Sequence, residues 1–130
     1  MAGTLHVELV SADRVVWSGE ATRIIARTIE GDVGILPGHA PLLAVLAHGV
    51  VDIQSTEGQT WVAAVSDGFL SVADDRVSVL SEYAELSHEI DVEKARADVT
   101  RAKEAGEDDT EALASLRLAE ARVRAAEQAS

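Results

Sequence analysis

The 130-residue sequence contains no cysteine, which excludes disulfide bridges, thiolate nucleophiles and zinc sites with cysteine ligands. Aromatic residues are scarce, since the chain has only Trp17, Trp61, Phe69 and Tyr83. A core must therefore be built from Val, Ile, Leu and Ala. With 47% hydrophobic residues, the composition indicates a folded chain rather than a disordered one.

Long apolar runs and an excess of basic residues are also missing. No segment approaches the ~20 apolar residues of a membrane-spanning helix, so we expect no direct membrane insertion. The N-terminus lacks a basic region followed by an apolar stretch, so we expect no secretory signal. The net charge of −12 opposes binding to nucleic acid or anionic lipid. Solubility explains this charge, as does attraction to a basic partner surface.

The composition changes near residue 88. Residues 1–90 contain eight of the nine glycines, both prolines and all four aromatic residues, whereas residues 91–130 contain eleven alanines and one glycine. Glycine and proline mark turns, while mixtures of Ala, Glu and Arg favour helices. We therefore predict a β-domain over residues 1–87 and a helical hairpin over residues 88–130.

Strand patterns recur through the first part. Residues 5–9 alternate between apolar and polar side chains, as in a half-buried strand. A further strand is predicted within the run bounded by Gly19 and Gly31, and Glu57-Gly58 and Asp74-Asp75 are predicted turns. Turns at intervals of about 8–12 residues are typical of a sandwich or barrel. Without intervening helices, the strands are expected to pair antiparallel.

Two stripes of apolar side chains, spaced by three and four residues, predict the helices of the second part. They cover residues 92–102 and 112–126. Between them, Gly106 is predicted to end the first helix and Asp108 to cap the second, and the short connection makes the helices antiparallel neighbours. Because alanine buries only one methyl group, we expect the hairpin to depend on docking against the β-domain, its own flanks or a partner.

No arrangement typical of catalysis is recognisable in the sequence. His6, His39, His48 and His88 are dispersed and lack the spacing of metal ligands. No serine lies in a nucleophile elbow, and the glycines of residues 31–34 are not followed by the lysine of a phosphate-binding loop. We predict no catalytic residue and no metal site.

The most distinctive segment is residues 31–43, which contains three glycines and both prolines. We expect a looped path there, with Pro37 and Pro41 at strand ends or edges. Two interpretations remain open. Either the loop folds inward and buries its apolar side chains, or it presents a shaped surface to a partner.

The run GDVGILPGHAPLLAVL resembles the signature segment of the epsilon subunit of rotary F-type ATP synthases. The opening LHVELVSADRVVWSGEA is similar to that family's first hairpin, and VSDGFLSVADDRVSVL is similar to its last strands. One departure is Asp67-Gly68, where the family more often has two glycines. The resemblance covers essentially the whole chain. It implies a flattened antiparallel β-sandwich of about ten strands, followed by a two-helix antiparallel hairpin.

The resemblance also implies a function. The chain would be a non-catalytic rotor subunit at the foot of the central stalk, peripheral to the cytoplasmic face of the cell membrane. It would contact the gamma subunit and the polar loops of the c-ring, coupling proton flow to ATP synthesis. Its hairpin would lie folded on the β-domain or extend toward the alpha and beta subunits and restrain ATP hydrolysis. The alternative is a free-standing β-sandwich binding module with a helical lid.

Partner-binding residues follow from the resemblance by position. They are Asp32, Val33, Gly34 and His39 of the signature segment. Asp32 matches a polar residue that faces the c-ring loops, although a turn aspartate is the alternative. His39 either supports the loop or contacts the partner.

Some family members bind ATP on the folded hairpin through a motif of Ile or Leu, Asp, two variable residues, Arg and Ala. Here Ile90, Asp91 and Ala95 match, but Lys94 replaces the arginine. Lysine cannot reproduce the planar fork of a guanidinium group. Asp91 has an alternative role as the N-cap of the first helix.

The other ATP ligands of the family are only partly retained. Glu85, Arg101 and Arg122 fall at ligand positions, whereas Leu118 occupies a position where ATP-binding members have arginine. The resemblance therefore implies no required cofactor and at most weak ATP binding.

Overall fold

The structure is a computed structural model that describes residues 3–104 and 110–129, with nine strands, one 3₁₀ turn and two α-helices in those ranges. The strands are β1 (Leu5–Val10), β2 (Val15–Thr28), β3 (Gly31–Ile35), β4 (Leu42–Leu46), β5 (Gly49–Ser55), β6 (Thr60–Val65), β7 (Gly68–Ala73), β8 (Arg76–Ser81) and β9 (Ala84–Leu86). The helical elements are the 3₁₀ turn Ser87–Glu89, α1 (Val92–Glu104) and α2 (Thr110–Ala129).

The long strand β2 joins the two layers of the sheet. Its first half pairs with β1, and its second half pairs with β3 and β5. One layer runs β2–β1–β8–β7–β4, and the other runs β3–β2–β5–β6–β9. Apolar side chains from all nine strands meet between the layers. The predicted architecture of a β-sandwich followed by a helical hairpin is confirmed, with nine strands described where the resemblance implies about ten.

The prediction that Gly19 bounds a strand was wrong. β2 continues through Gly19, which pairs with Val7 in the ladder to β1. A Cβ atom at this glycine would lie 3.0 Å from the indole ring of Trp17. The glycine therefore makes room for a tryptophan on its own strand instead of forming a turn.

The prediction of purely antiparallel pairing was also wrong, because β1 and β8 pair parallel from His6↔Arg76 to Val10↔Leu80. A parallel pair needs a long connection between its strands, and here strands β2 to β7 and their turns form that connection. β1 and β8 are far apart in the sequence, so the short connections between neighbouring strands do not determine how they pair.

The looped path expected for residues 31–43 is shorter than predicted. Residues 31–35 form β3 and residue 42 already belongs to β4, so only residues 36–41 lie outside strands. Both prolines lie in this loop at strand ends, as predicted. The amide of Gly38 donates a hydrogen bond of 2.7 Å to Asp75 Oδ1 and ties the loop to the β7–β8 turn.

At Asp67-Gly68 the family more often has two glycines. This chain keeps the second one, which the packing requires. A Cβ atom on Gly68 would lie 1.9 Å from the carbonyl oxygen of Leu80. No side chain fits where the two strands approach so closely. Asp67 is exposed, which explains why a side chain is tolerated there.

The hairpin docks on the outer face of β5 and β6 through a second apolar cluster. Its buried members are Val62, Ala64, Ile90, Ala95, Ala121, Ala125 and Ala126. The β-domain is thus the surface on which this hairpin rests. Five of the seven members are alanines, so each helical side chain contributes little buried area. The residues predicted to end α1 and cap α2, Gly106 and Asp108, lie outside the described residues.

Residues 1–86 alone are expected to fold. Every buried member of the sandwich core lies between Leu5 and Leu86, so removing the hairpin leaves that core intact. Circular dichroism of this fragment should show a cooperative β-type melt, with the full chain as the reference. A disordered fragment would contradict the division of the chain into two parts.

Candidate functional site

β4 is apolar on both of its faces. Its alternate residues Leu42, Ala44 and Leu46 point toward the sandwich core, and Leu43 and Val45 point outward. Leu43 is 73% exposed, and Val45 is 42% exposed. The hairpin docks on the opposite layer and leaves both side chains exposed.

The outward side chains continue into an apolar row across the strands of this layer. Register places Val45 opposite Phe69, Phe69 opposite Leu80, Leu80 opposite Val10 and Val10 opposite Val15. Residues that pair directly share a face of the sheet. With strands about 4.8 Å apart, the apolar row is about 19 Å long.

A polar row runs beside it on the same face. Leu43 pairs with Ser71, which is followed across the sheet by Ser78, Glu8 and Ser18. A contiguous exposed apolar strip with a polar border is typical of a protein–protein contact. The sequence analysis missed this surface. Its only local signal is the run LLAVL, which is apolar at both odd and even positions.

The four predicted partner-binding residues lie in different environments. Asp32 is exposed at the start of β3, and its carboxylate lies 3.7 Å from the guanidinium group of Arg27. Gly34 is exposed, whereas Val33 packs against the sandwich core. The ring Nδ1 of His39 hydrogen-bonds locally to the carbonyl oxygen of Ala40 at 2.6 Å. Only Asp32 and Gly34 thus face outward.

The predicted ATP ligands separate into two groups, and the first lies at the start of α1. The amide of Lys94 donates a hydrogen bond to Asp91 Oδ1 at 3.2 Å, so Asp91 acts as the N-cap. Ile90 is buried in the second apolar cluster, and the Lys94 side chain is exposed. With a rise of 1.5 Å per residue, Arg101 lies ~10 Å farther along the helix than Lys94.

The second group surrounds Arg122 on α2. Its Nε lies 3.1 Å from Glu85 Oε1, and its Nη1 lies 3.1 Å from Asp98 Oδ2. Arg101 also pairs with Asp98 at 3.4 Å, and the hydroxyl of Tyr83 donates a hydrogen bond to Glu85. Arg122 therefore bridges Glu85 and Asp98, and Asp98, which was not predicted from the sequence, bridges Arg122 and Arg101.

Burial strengthens this network. The side chains of Glu85 and Arg122 are only 20% and 17% exposed, so their charges are partly desolvated. Burial and the hydrogen bond to Glu85 raise the pKa of Tyr83 far above its ordinary value, which keeps the phenol neutral. Removal of either Glu85 or Asp98 would leave part of the guanidinium group without its partner.

A groove of about 410 Å³ lies beside this network, between the two helices. Arg101 and Arg122 line it, and Leu118 and Ala119 provide apolar wall. Of the predicted ATP ligands, Arg101 and Arg122 line the groove, whereas Glu85, Asp91 and Lys94 do not.

A further ion pair ties the connection between the two parts to the β-domain. Arg14 Nη2 lies 3.1 Å from Glu89 Oε1, and Glu89 also accepts a hydrogen bond from the amide of Leu86. The hydrogen bond from Arg14 holds the pKa of Glu89 below its ordinary value. The 3₁₀ turn is therefore fastened to the β1–β2 turn.

No group of three or more His, Asp or Glu side chains in residues 3–104 and 110–129 is placed to hold a metal ion. Neither α1 nor α2, as described, is long and apolar enough to cross a membrane.

The sequence matches the family described as ATP synthase, Delta/Epsilon chain, beta-sandwich domain, over residues 4–87. The ATP synthase epsilon chain of Streptomyces griseus is 56% identical over 125 residues, which cover 96% of this chain and 97% of that protein. The ATP synthase epsilon chain of Rhodococcus opacus is 48% identical over 126 residues, covering 96% and 98%.

Solved structures show the same fold. A chain of the Euglena gracilis mitochondrial ATP synthase, from a cryo-EM structure of OSCP/F1/c-ring, superposes with a TM-score of 0.82 at 25% identity. The match covers 95% of the present chain and 81% of the Euglena chain. A chain from the central stalk/c-ring of the Tetrahymena thermophila enzyme gives a TM-score of 0.59 at 19% identity.

Proposed function

The chain belongs to the epsilon-chain family of ATP synthases, and we propose that it is a non-catalytic rotor subunit that couples proton translocation to ATP synthesis. The observation that carries this proposal is the uncovered apolar row. One outer face of the sandwich holds the hairpin, and the other offers an apolar strip about 19 Å long. A rotor subunit needs such a face to turn together with the stalk.

We assign the apolar row to the gamma subunit. Its exposed members Val45, Phe69 and Leu80 lose contact with water when a partner covers them, which stabilises the complex. The β2–β3 turn, with Asp32 exposed and Ile29 69% exposed, is assigned to the polar loops of the c-ring. In this arrangement the chain is peripheral to the cytoplasmic face of the membrane.

The second part of the proposal is regulation by the hairpin. The alanine-rich cluster supplies little apolar area per residue, so leaving the sandwich costs only a few kcal/mol. An extended hairpin would carry seven basic side chains to the gamma, alpha and beta subunits: Lys94, Arg96, Arg101, Lys103, Arg117, Arg122 and Arg124. Each such ion pair contributes under ~1 kcal/mol, but several together shift the equilibrium between the folded and the extended hairpin.

Replacing Asp32 with lysine is expected to weaken coupling without unfolding the chain. The substitution reverses an exposed charge next to Arg27, and such surface changes usually alter stability by less than ~0.5 kcal/mol. Proton-driven ATP synthesis by the reconstituted complex is the measurement. Glu57→Lys, in the exposed β5–β6 turn, is the matched control for charge. Unchanged synthesis with Asp32→Lys would mean that Asp32 is only a turn residue.

ATP is expected to bind this subunit only weakly. The guanidinium group of Arg122 is already held by Glu85 and Asp98, and Lys94 and Leu118 supply no guanidinium group. Calorimetric titration of the full chain should give a dissociation constant in the millimolar range or weaker, equivalent to about −4 kcal/mol. The variant Lys94→Arg with Leu118→Arg should bind ATP more tightly. Micromolar binding by the unmodified chain would contradict this prediction.

A further inference from the structure

A cleft of about 760 Å³ lies where α1 and α2 overhang the edge of the sandwich. The sandwich contributes Arg27 of β2 and His48 of the β4–β5 turn, and the hairpin contributes Lys103, Arg117 and Arg124. None of the predicted ATP ligands lines this cleft. It is a separate site on another face of α2.

The cleft concentrates positive charge in an acidic protein. Among the described residues, four of the chain's eleven Lys and Arg side chains line it, against the two carboxylates Asp67 and Glu120, although the chain carries a net charge of −12. Neither Asp67 nor Glu120, the carboxylates of its described lining, forms an ion pair with the three cations that α1 and α2 contribute. Arg27 has only an exposed contact of 3.7 Å to Asp32. Such a contact contributes little.

The remaining guanidinium groups of the hairpin are engaged quite differently. Arg96, Arg101 and Arg122 each lie 3.1–3.4 Å from at least one carboxylate. Within the part of the chain that the structure describes, and apart from the ion pairs of the other hairpin arginines, three hairpin cations therefore face a sandwich cation across one cleft. Their mutual repulsion opposes docking of the hairpin unless an anion lies between them.

We propose that this cleft binds a multivalent oxyanion of the phosphate class and that the bound anion clamps the hairpin onto the sandwich. Guanidinium groups donate paired hydrogen bonds to phosphate oxygens. The apolar side chains Val45, Leu113 and Leu116 line the same cleft and reduce screening by water. Its described lining contains no Trp, Tyr or Phe, and its cations match the charge of a phosphate chain.

The bound anion can hold the hairpin on the sandwich because both parts contribute cations to the cleft. The anion contacts cations of both the sandwich and the hairpin, so its full set of contacts exists only while the hairpin is docked. A ligand that binds one state preferentially shifts the equilibrium toward that state. This inference concerns the isolated chain and does not depend on the proposed role in the complex.

Calorimetric titration of the full chain with pyrophosphate at low ionic strength tests the site. The double variant Arg117→Gln with Arg124→Gln should bind at least tenfold more weakly, and Arg27→Gln should weaken binding as well. Lys94→Gln removes an exposed hairpin cation outside the cleft and should bind as the unmodified chain does. Absence of binding by the unmodified chain, or an equal loss in Lys94→Gln, would overturn the site.

Amide hydrogen exchange tests the clamp itself. Saturating pyrophosphate should slow exchange along α2 in the unmodified chain and in Lys94→Gln, but not in Arg27→Gln. If Arg27→Gln binds pyrophosphate as tightly as the unmodified chain does, the anion sits on the hairpin alone and the clamp is overturned. The clamp is also overturned if pyrophosphate leaves exchange along α2 of the unmodified chain unchanged. The double variant Arg117→Gln with Arg124→Gln weakens the cleft site. Titration of this variant with ATP therefore measures any ATP binding in the groove beside Arg122.

Discussion

Deletion of residues 88–130 is expected to raise ATP hydrolysis by the parent complex while leaving its assembly intact. The sandwich core and the apolar row contain no residue of the deleted segment, so the docking face is preserved. If the restrained form accounts for about 90% of complexes at rest, removing it raises the rate about tenfold. Steady-state hydrolysis and subunit composition of the purified complex are the measurements. An unchanged rate would rule out an inhibitory hairpin.

A cross-linked form separates the folded hairpin from the extended one. The chain has no cysteine, so Asp52→Cys and Gln128→Cys introduce a unique pair at a site where the native side chains hydrogen-bond at 2.9 Å. Joining the two thiols with a short bis-maleimide holds the hairpin docked. The cross-linked complex should hydrolyse ATP as fast as the deletion variant, and the same variant without cross-linker should remain restrained. Slow hydrolysis after cross-linking would place the inhibition in the folded state.

Replacing Phe69 with aspartate is expected to prevent stable binding to the gamma subunit. Phe69 lies near the middle of the apolar row and is 53% exposed, so the isolated chain loses little stability. Covering a carboxylate at the centre of an apolar contact weakens binding by ~2 kcal/mol or more, roughly thirtyfold. Binding of the purified variant to the gamma subunit is the measurement, with circular dichroism as the check on folding.

Ser71→Asp is the matched control for this substitution. Ser71 lies two residues farther along β7, on the same face, but in the polar row. A carboxylate there stays near the border of the contact and should weaken binding much less. If Phe69→Asp binds the gamma subunit as tightly as the unmodified chain does, the apolar row is not the docking face.

The sequence predicted features that depend on neighbouring residues. The alternation in β1 and the turn at Asp74-Asp75, where both residues adopt positive φ, follow from local preferences. The stripe of α2 follows only in part, since Leu116, Ala119 and Ala126 are buried but Ala121 and Ala125, outside the stripe, are buried more completely.

Features that depend on distant pairing were not predictable in this way. The apolar row exists only because register aligns single residues on five strands, and no one strand reveals it. The grouping of Glu85, Asp98 and Arg122 likewise requires three elements to meet. The residues around Gly19 resemble those of an ordinary turn. Only the packing of Trp17 explains why a glycine is needed at this position.

The parallel pairing of β1 with β8 determines how late during synthesis of the chain the sandwich can close. β1 leaves the ribosome before the other described strands, but its second neighbour follows only with residues 76–80. The sandwich closes late, because distant segments must meet before their contacts stabilise it. At about 5–20 residues per second, the hairpin needs roughly 2 to 9 s more to be made. During that interval a finished sandwich has both of its outer apolar faces bare and must avoid self-association.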